Sequence, residues 1–297
     1  MTLPEITELF STDDKCREVL ERLRWPNGPE CPRCKTLRVV RLSTNVKLLW
    51  CPDCEYQFSV TAGTIFNDSH LPLSKWFIAT LLLVEARKGF SANQMKRTLG
   101  VSYKTAWYLC HRIRAAMREH DRTMLEGTVE MDETYVGGRK RGAGIRGRGA
   151  EKEIVIGLRQ RNGDLRFFHA KDAKSATLAQ YIRENVSEDV DVMVTDEWSA
   201  YPDAMRRTGK IEKHKTIRHK GHVYVDGDIH TNTVESAFSL LKRGVIGTWH
   251  RISAKHLAAY LDEMTFRFNR RKSPALFLDT LRHMVIAPVL TFEKLTT

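Results

Sequence analysis

The chain has 297 residues, of which 42% are hydrophobic and 28% charged, so it can bury a sizeable core and form two or three domains. Its formal net charge of +12 favours a polyanionic partner, with nucleic acid ahead of a membrane surface. No stretch reaches the about 20 apolar residues of a membrane-spanning helix, and the N-terminus lacks a secretory-signal pattern. We therefore expect a cytoplasmic, nucleic-acid-binding protein without a membrane partner.

The first segment, residues 1–60, begins with a predicted helix that ends near Trp25 and Pro26. Ser11 or Thr12 can cap it, and apolar residues follow at helical spacing: Cys16, Leu20 and Leu23. This spacing makes Cys16 a core residue rather than a ligand.

Two cysteine pairs follow this helix, CPRC at 31–34 and CPDC at 51–54, with sixteen residues between them. That interval is long enough for a hairpin with strands at 37–41 and 46–50. Two such pairs supply the four tetrahedral ligands of one structural Zn²⁺: Cys31, Cys34, Cys51 and Cys54. The alternative is a redox CxxC, but the βαβ pattern that usually accompanies one is absent.

The second segment, residues 61–126, is predicted to be helical. One helix starts at Ser74, a second is capped by Ser91, and a third runs from Ser102 to about residue 117, after a turn that contains Gly100. Two helices around such a turn are typical of a helix-turn-helix. The basic residues expected to contact DNA are Lys104, Arg112 and Arg114, although a helical hairpin with a solvated basic face would look the same.

The third segment, residues 127–297, opens with GTVEMDETYVGG, a β-branched run that predicts a strand carrying Asp132. The stretch 137–152 then holds six glycines and six basic residues in sixteen. It could lie along DNA phosphates through Arg139, Lys140 and Arg141. A solvated loop is an equally good interpretation.

Further elements are predicted after this loop, with strands at 153–159, 164–169 and 191–195 and a helix at 175–186. The last of these strands ends directly in Asp196. This order suits a sheet in which the first and fourth strands are neighbours and bring Asp132 and Asp196 together. A helix at 230–242 adds Glu235 and Lys242 on one face, with Asn232 one turn before Glu235.

Carboxylates placed in this way suit phosphodiester chemistry. Two Mg²⁺ ions about 3.5–4 Å apart assist in-line displacement at phosphorus, and such hard cations prefer carboxylate oxygens. Asp132, Asp196 and Glu235 could hold the ions while Lys242 meets a phosphate. Each acid taken alone is equally consistent with an incidental polar residue.

Seven stretches that together cover nearly the whole chain carry a resemblance to a known family. They are LRWPNGPECPRC, GTIFNDSHLPLSKWF, KTAWYLCHRIR, EMDETYVGGR, VTDEWSAY, HTNTVESAFSLLKRGVIGTWHRIS and HLAAYLDEMTFRFNRR. These stretches resemble the bacterial insertion-sequence transposases of the ISXO type, in which a zinc ribbon precedes a DDE-type domain. The resemblance implies an α/β, RNase H-like catalytic core, a mixed sheet with flanking helices, preceded by the zinc ribbon and the helix-turn-helix. It also implies cleavage of DNA with Mg²⁺ or Mn²⁺, two ions per site, and transfer of a 3′-hydroxyl end into target DNA by a homodimer or higher multimer.

The same resemblance places the family's two aspartates at Asp132 and Asp196. Its third ligand falls on either Asn232 or Glu235; charge favours Glu235 and leaves Asn232 accessory. The predicted domains are residues 1–60, 61–126 and 127–297. Two other functions fit the same pattern, a DNA-binding regulator with an inactive transposase-derived domain and a nuclease that cuts without strand transfer.

Overall fold

The structure, a computed structural model, describes residues 1–137, 152–217 and 230–297. These residues form two compact units. Unit 1 comprises residues 1–118 and 270–297, and unit 2 comprises residues 119–269. None of the described helices is long and apolar enough to cross a membrane.

The N-terminal part of unit 1 contains helices and a small antiparallel sheet. In chain order they are α1 (Leu3–Leu9), α2 (Asp13–Arg24), β1 (Val40–Arg41), β2 (Leu49–Trp50), β3 (Gln57–Phe58), α3 (Leu73–Glu85), α4 (Ala92–Leu99) and α5 (Tyr103–Ala116). Thr12 caps α2 as predicted, and Cys16 is fully buried. The ribbon strands are two residues long, shorter than the predicted 37–41 and 46–50.

Both cysteine pairs of the ribbon adopt the same turn. The backbone N–H of Cys31 donates to Thr36 O at 2.9 Å, and that of Cys51 donates to Tyr56 O at 3.0 Å. The residue after each pair has a positive φ, 64° and 55° respectively. As a result the four cysteine Sγ atoms all lie within 4.8 Å of one another. This arrangement fits one structural Zn²⁺ with a closed tetrahedral shell.

The predicted helix-turn-helix is present in unit 1. The side chain of Ser91 accepts from Gln94 N in a capping box that starts α4, and Gly100 ends the helix with φ 63°. Ser102 then caps α5 by accepting from Thr105 N. The caps that begin α4 and α5 and the glycine that ends α4 involve only neighbouring residues. The local sequence therefore specifies these helix boundaries.

The C-terminal segment adds α10 (Leu276–Ile286) and α11 (Phe292–Thr296) to unit 1. Phe277 of α10 contacts the rings of Phe10 and Phe77, at centroid distances of 6.2 and 5.9 Å. Residues 270–297, which the sequence-based division assigns to the catalytic segment, therefore pack with the N-terminal helices. The aromatic contacts that hold them there join residues at least 200 positions apart in the sequence, which local patterns do not reveal.

Unit 2 is an α/β unit. Its elements are β4 (Thr128–Val136), β5 (Glu153–Gln160), β6 (Leu165–Ala170), α6 (Ser175–Asn185), β7 (Val192–Thr195), α7 (Ala200–Arg207), β8 (His214–Thr216), α8 (Asn232–Gly244), a π-helical turn (Val245–Trp249) and α9 (Ala254–Asn269). Among the described residues its sheet has five strands in the order β6-β5-β4-β7-β8. Strand β4 pairs antiparallel with β5 and parallel with β7. This is the expected RNase H-like mixed sheet, with the first and fourth strands side by side.

The two faces of this sheet bury different clusters. Val129 and Met131 of β4 pack with residues of α6 and α7. On the other face, Val136 packs with residues of α8 and α9. The alternation along β4 follows from the period of two in a strand, and it assigns even-numbered residues to the α8 face.

A glycine allows α8 to approach the sheet closely. Gly157 of β5 lies opposite Asp132 in the ladder. A Cβ at this position would lie 2.7 Å from Phe238 Cζ and 2.9 Å from Val234 Cγ2, both on α8. Any side chain here would therefore displace the helix at the level of Asp132.

We predict that Gly157→Ala lowers the free energy of unfolding by about 1–3 kcal/mol, because overpacking strains a filled core. Urea denaturation of the full chain measures the change. Gly247→Ala is the matched control, since a Cβ there meets nothing within 4 Å and should leave the midpoint unchanged. Equal midpoints for Gly157→Ala and the parent chain would contradict the tight seating of α8.

Candidate active site

The sheet places Asp132 and Asp196 at corresponding levels of neighbouring parallel strands. Thr128, Val129 and Glu130 pair with Val192, Met193 and Val194. The offset is 64 residues throughout, so continuing it by two positions sets Asp132 beside Asp196. The backbone N–H of Trp198 donates to Asp196 Oδ1 at 3.0 Å, which fixes this carboxylate just beyond the end of β7.

Negative charge accumulates around Asp132. Burial raises the pKa of its carboxyl to about 7, and the charge of neighbouring Glu133 adds to this rise. A hydrogen bond from the Glu133 N–H, 2.9 Å long, opposes the rise. The charges of Asp196 and Glu235 raise the pKa further. The charges of the other two predicted acids therefore both reach Asp132.

The helix predicted at 230–242 is α8, and both candidates for the third metal ligand, Asn232 and Glu235, lie in its first turn. Glu235 is half-buried, and the hydroxyl of buried Thr231 donates to its Oε1 at 2.7 Å. Asn232 is exposed at the first helical position. Glu235 is thus the one of the two whose charge reaches Asp132 and whose side chain is held in place.

Lys242 is exposed on α8, two turns beyond Glu235. Seven residues correspond to about 10 Å along a helix axis, so Lys242 lies at a distance from the acids.

The carboxylate oxygens of the three acids lie farther apart than the four cysteine Sγ atoms of the ribbon. Within the described ranges, the four cysteines are the group whose ligand atoms gather tightly enough to enclose an ion.

A buried carboxylate near the site was missed by the sequence reasoning. Glu130 is 0% exposed and lies two residues before Asp132 on the same face of β4. Its Oε2 accepts from the backbone N–H groups of Thr233 and Val234, both at 3.0 Å. The alternation in VEMD places Glu130 and Asp132 on one face, but it does not reveal that this face meets the start of a helix.

Two of the predicted DNA contacts are wrong, because their side chains are buried in unit 1. Arg112 is 3% exposed and donates to Asn67 O at 2.6 Å, with its guanidinium over the rings of Trp76 and Tyr108. Arg114 is 1% exposed and donates to Phe90 O. Arginines in a helix predict an exposed basic surface, but residues 109–114 of α5 are all buried, so this part of the helix is enclosed on all sides.

Lys104 remains available, since it lies in the exposed first turn of α5 with Nζ 4.4 Å from the ring of Phe292. The other predicted DNA contacts, Arg139, Lys140 and Arg141, lie outside the described residues. Cys110 is fully buried in α5, where a free cysteine packs as a small hydrophobic residue.

The sequence matches two family profiles. A transposase zinc-ribbon domain matches residues 11–57, and an ISXO2-like transposase domain matches residues 124–269. The chain is also 31% identical over 276 residues to an uncharacterized protein in transposable element ISH50 of Halobacterium salinarum, which covers 87% of this chain and 91% of that protein.

Solved structures of Mos1 transposase complexes are more distant. The Mos1 strand transfer complex gives a TM-score of 0.33 at 10% identity and covers 70% of this chain and 74% of that one. The Mos1 paired-end complex with the left transposon end gives 0.30 at 12% identity, covering 71% and 79%. These scores describe loose superpositions, and the sequence matches carry the assignment. The chain belongs to the insertion-sequence transposases that join a transposase zinc ribbon to an ISXO2-like transposase domain.

Proposed function

We propose that this transposase binds the ends of its insertion sequence, cleaves them in a Mg²⁺-dependent reaction, and transfers the exposed 3′-hydroxyl ends into target DNA. The observation that carries the proposal is the convergence of Asp132, Asp196 and Glu235 from two neighbouring strands and one helix, with the charges of Asp196 and Glu235 acting on the buried carboxyl of Asp132. A buried carboxylate whose pKa is raised by other carboxylates is stabilised in its ionised form by a divalent cation.

Asp132, Asp196 and Glu235 are the residues that would hold Mg²⁺ or Mn²⁺, because hard divalent cations take carboxylate oxygens. When two such ions are bound, they activate the attacking oxygen and stabilise the leaving oxygen of an in-line displacement. The chain's own contribution is to orient the carboxylates. The backbone of Trp198 holds Asp196, and the hydroxyl of Thr231 holds Glu235.

Other exposed basic groups suit DNA binding. Recognition helices contact base edges with their N-terminal residues, and in α5 these are the exposed Tyr103, Lys104 and Thr105. Lys242, exposed two turns beyond Glu235 on α8, would meet a DNA phosphate at a distance from the acids. The net charge of +12 adds a sequence-independent attraction to the DNA backbone.

Joining two element ends to one target requires that two active sites act together, so we further propose that the protein works as a homodimer or higher multimer on DNA. Its substrate is chromosomal DNA, which places its activity in the cytoplasm at the nucleoid.

We predict that Asp132→Ala and Asp196→Ala each reduce cleavage of a labelled element-end duplex to background, because each removes an expected metal ligand. DNA binding, measured by gel shift, should be unchanged. Glu126→Ala, at an exposed carboxylate in the same unit, is the control and should cleave normally.

Full cleavage by either aspartate variant would contradict the assignment of Asp132 and Asp196 to the active site. Cleavage without joined product in the parent chain would indicate a nuclease instead. Binding without any cleavage by the parent would indicate a regulator.

A second pair of variants separates the candidates for the third ligand. We predict that Glu235→Gln reduces cleavage to background, because it removes a charge that reaches Asp132 while keeping the side-chain shape. Asn232→Ala should retain most of the activity, since Asn232 is exposed. The opposite ranking of the two rates would make Asn232 the ligand.

The raised pKa of Asp132 predicts a pH dependence of stability without added Mg²⁺. Between the unfolded value of about 3.9 and the folded value of about 7, the folded state binds a proton that the unfolded state has lost. Stability contributed at this site therefore falls as pH rises through that window and then levels off. Asp132→Asn should remove this loss of stability. The urea midpoint of the variant should therefore exceed that of the parent by an amount that grows from pH 4.5 to pH 7.5.

The parent and Asp132→Asn carry the same zinc ribbon, so effects of pH on the cysteine thiols cancel in the difference between their urea midpoints. Added Mg²⁺ should raise the urea midpoint of the parent but not that of the variant. A constant difference between the two midpoints across this range would contradict the assigned environment of Asp132.

A further inference from the structure

The start of α8 has an unusual capping arrangement. Thr231 occupies the N-cap position, yet its side chain makes no capping hydrogen bond, because its hydroxyl donates to Glu235 instead. The first N–H groups of a helix have no partner within the helix. At α8 two of these donors, the N–H groups of Thr233 and Val234, are satisfied from another element of the fold.

That partner is Glu130 of β4. Its Oε2 accepts from Thr233 N and Val234 N, each at 3.0 Å, and from the Thr233 hydroxyl at 2.7 Å. A carboxylate at this end of a helix also interacts favourably with the helix dipole. Glu130 therefore replaces the missing local cap and binds the helix to the central strand.

The other carboxylate oxygen of Glu130, Oε1, accepts from Arg161 and lies close to His230. Arg161 Nε donates to Oε1 at 2.9 Å, and the Arg161 Nη2 donates to His230 O at 3.0 Å. His230 Nδ1 lies 3.3 Å from the same oxygen without making a hydrogen bond. The residue preceding Thr231 is thus also held against β4, and both oxygens of Glu130 are occupied.

We propose that Glu130 is a positioning residue, which sets the place of Glu235 relative to Asp132 by capping α8 from the strand that carries Asp132. Glu130 and Asp132 are two residues apart on one face of β4, and the helix that Glu130 caps carries Glu235 in its first turn. The proposal rests on the proposed function for its role in cleavage.

Substitutions at Glu130 and at Thr233 disturb this cap to different degrees. In Glu130→Gln one end of the side chain becomes an NH₂ donor, which must face either Arg161 or the two helix N–H groups. Donor then meets donor in a buried site, whichever way the amide turns. Thr233→Val is milder, because it keeps the charge of Glu130 and both backbone donors and removes only the hydroxyl.

The test measures Mn²⁺ binding and Mn²⁺-dependent cleavage by the full-length, zinc-loaded chain. Binding is followed by electron paramagnetic resonance, and cleavage uses the labelled element-end duplex. Disturbing groups behind metal ligands typically costs about 10- to 100-fold in metal affinity or activity. We expect Glu130→Gln to raise the Mn²⁺ concentration for half-maximal binding and cleavage by that factor, and Thr233→Val to raise it less.

Glu263→Gln is the matched control. Glu263 is also a fully buried glutamate, and it pairs with Arg267, 3.1 Å from its Oε1 to Nε, within α9. Its substitution should lower the unfolding midpoint in urea but leave the Mn²⁺ dependence unchanged. A purely structural role for Glu130 would give the same pattern.

The outcomes are distinct. If folded Glu130→Gln, or Thr233→Val where the first variant does not fold, has the parent's Mn²⁺ dependence, the proposal is overturned. If the parent binds Mn²⁺ but cleaves nothing, the proposed function fails, while the binding titration still decides the role of Glu130. If the parent binds no Mn²⁺, both fail.

Discussion

The parallel pairing of β4 with β7 is the constraint on which the arrangement of unit 2 depends. Because side chains alternate along a strand, the register of this pairing decides whether two acids meet or point to opposite faces. Here the register places Asp132 and Asp196 at one level. The antiparallel pairing with β5 then sets Gly157 opposite Asp132, which leaves the space that α8 fills.

Two elements, β7 and α8, thus converge on one position of the central strand, and three different physical means hold them there. Backbone ladder hydrogen bonds hold β7, the absence of a Cβ at Gly157 admits α8, and Glu130 caps the helix. These means are independent of the charges of Asp132, Asp196 and Glu235. Burial of Asp132 and repulsion from neighbouring carboxylates both raise its pKa, and packing and hydrogen bonding around the site oppose this cost.

Much of this organisation follows from the sequence alone. The cysteine spacing, the caps at Ser91 and Ser102, and the strand that ends at Asp196 are local signals, and the structure confirms the elements they predict. Other features depend on contacts between distant parts of the chain. The burial of Arg112 and Arg114 depends on the second half of α5 being enclosed on all sides, and the contacts of Glu130 depend on a helix about one hundred residues further on. Helical spacing and strand alternation identify faces, but they do not say what each face contacts.

The cap on α8 also has a consequence for the chain during synthesis. Glu130 and Thr233 are 103 residues apart, so a chain that stops before α8 lacks both the donors that Glu130 binds and the residue Glu235. Ribosomal products truncated in this region would carry Asp132 and Asp196 without the third acid. The fold thereby links the assembly of the three acids to synthesis of the polypeptide through α8.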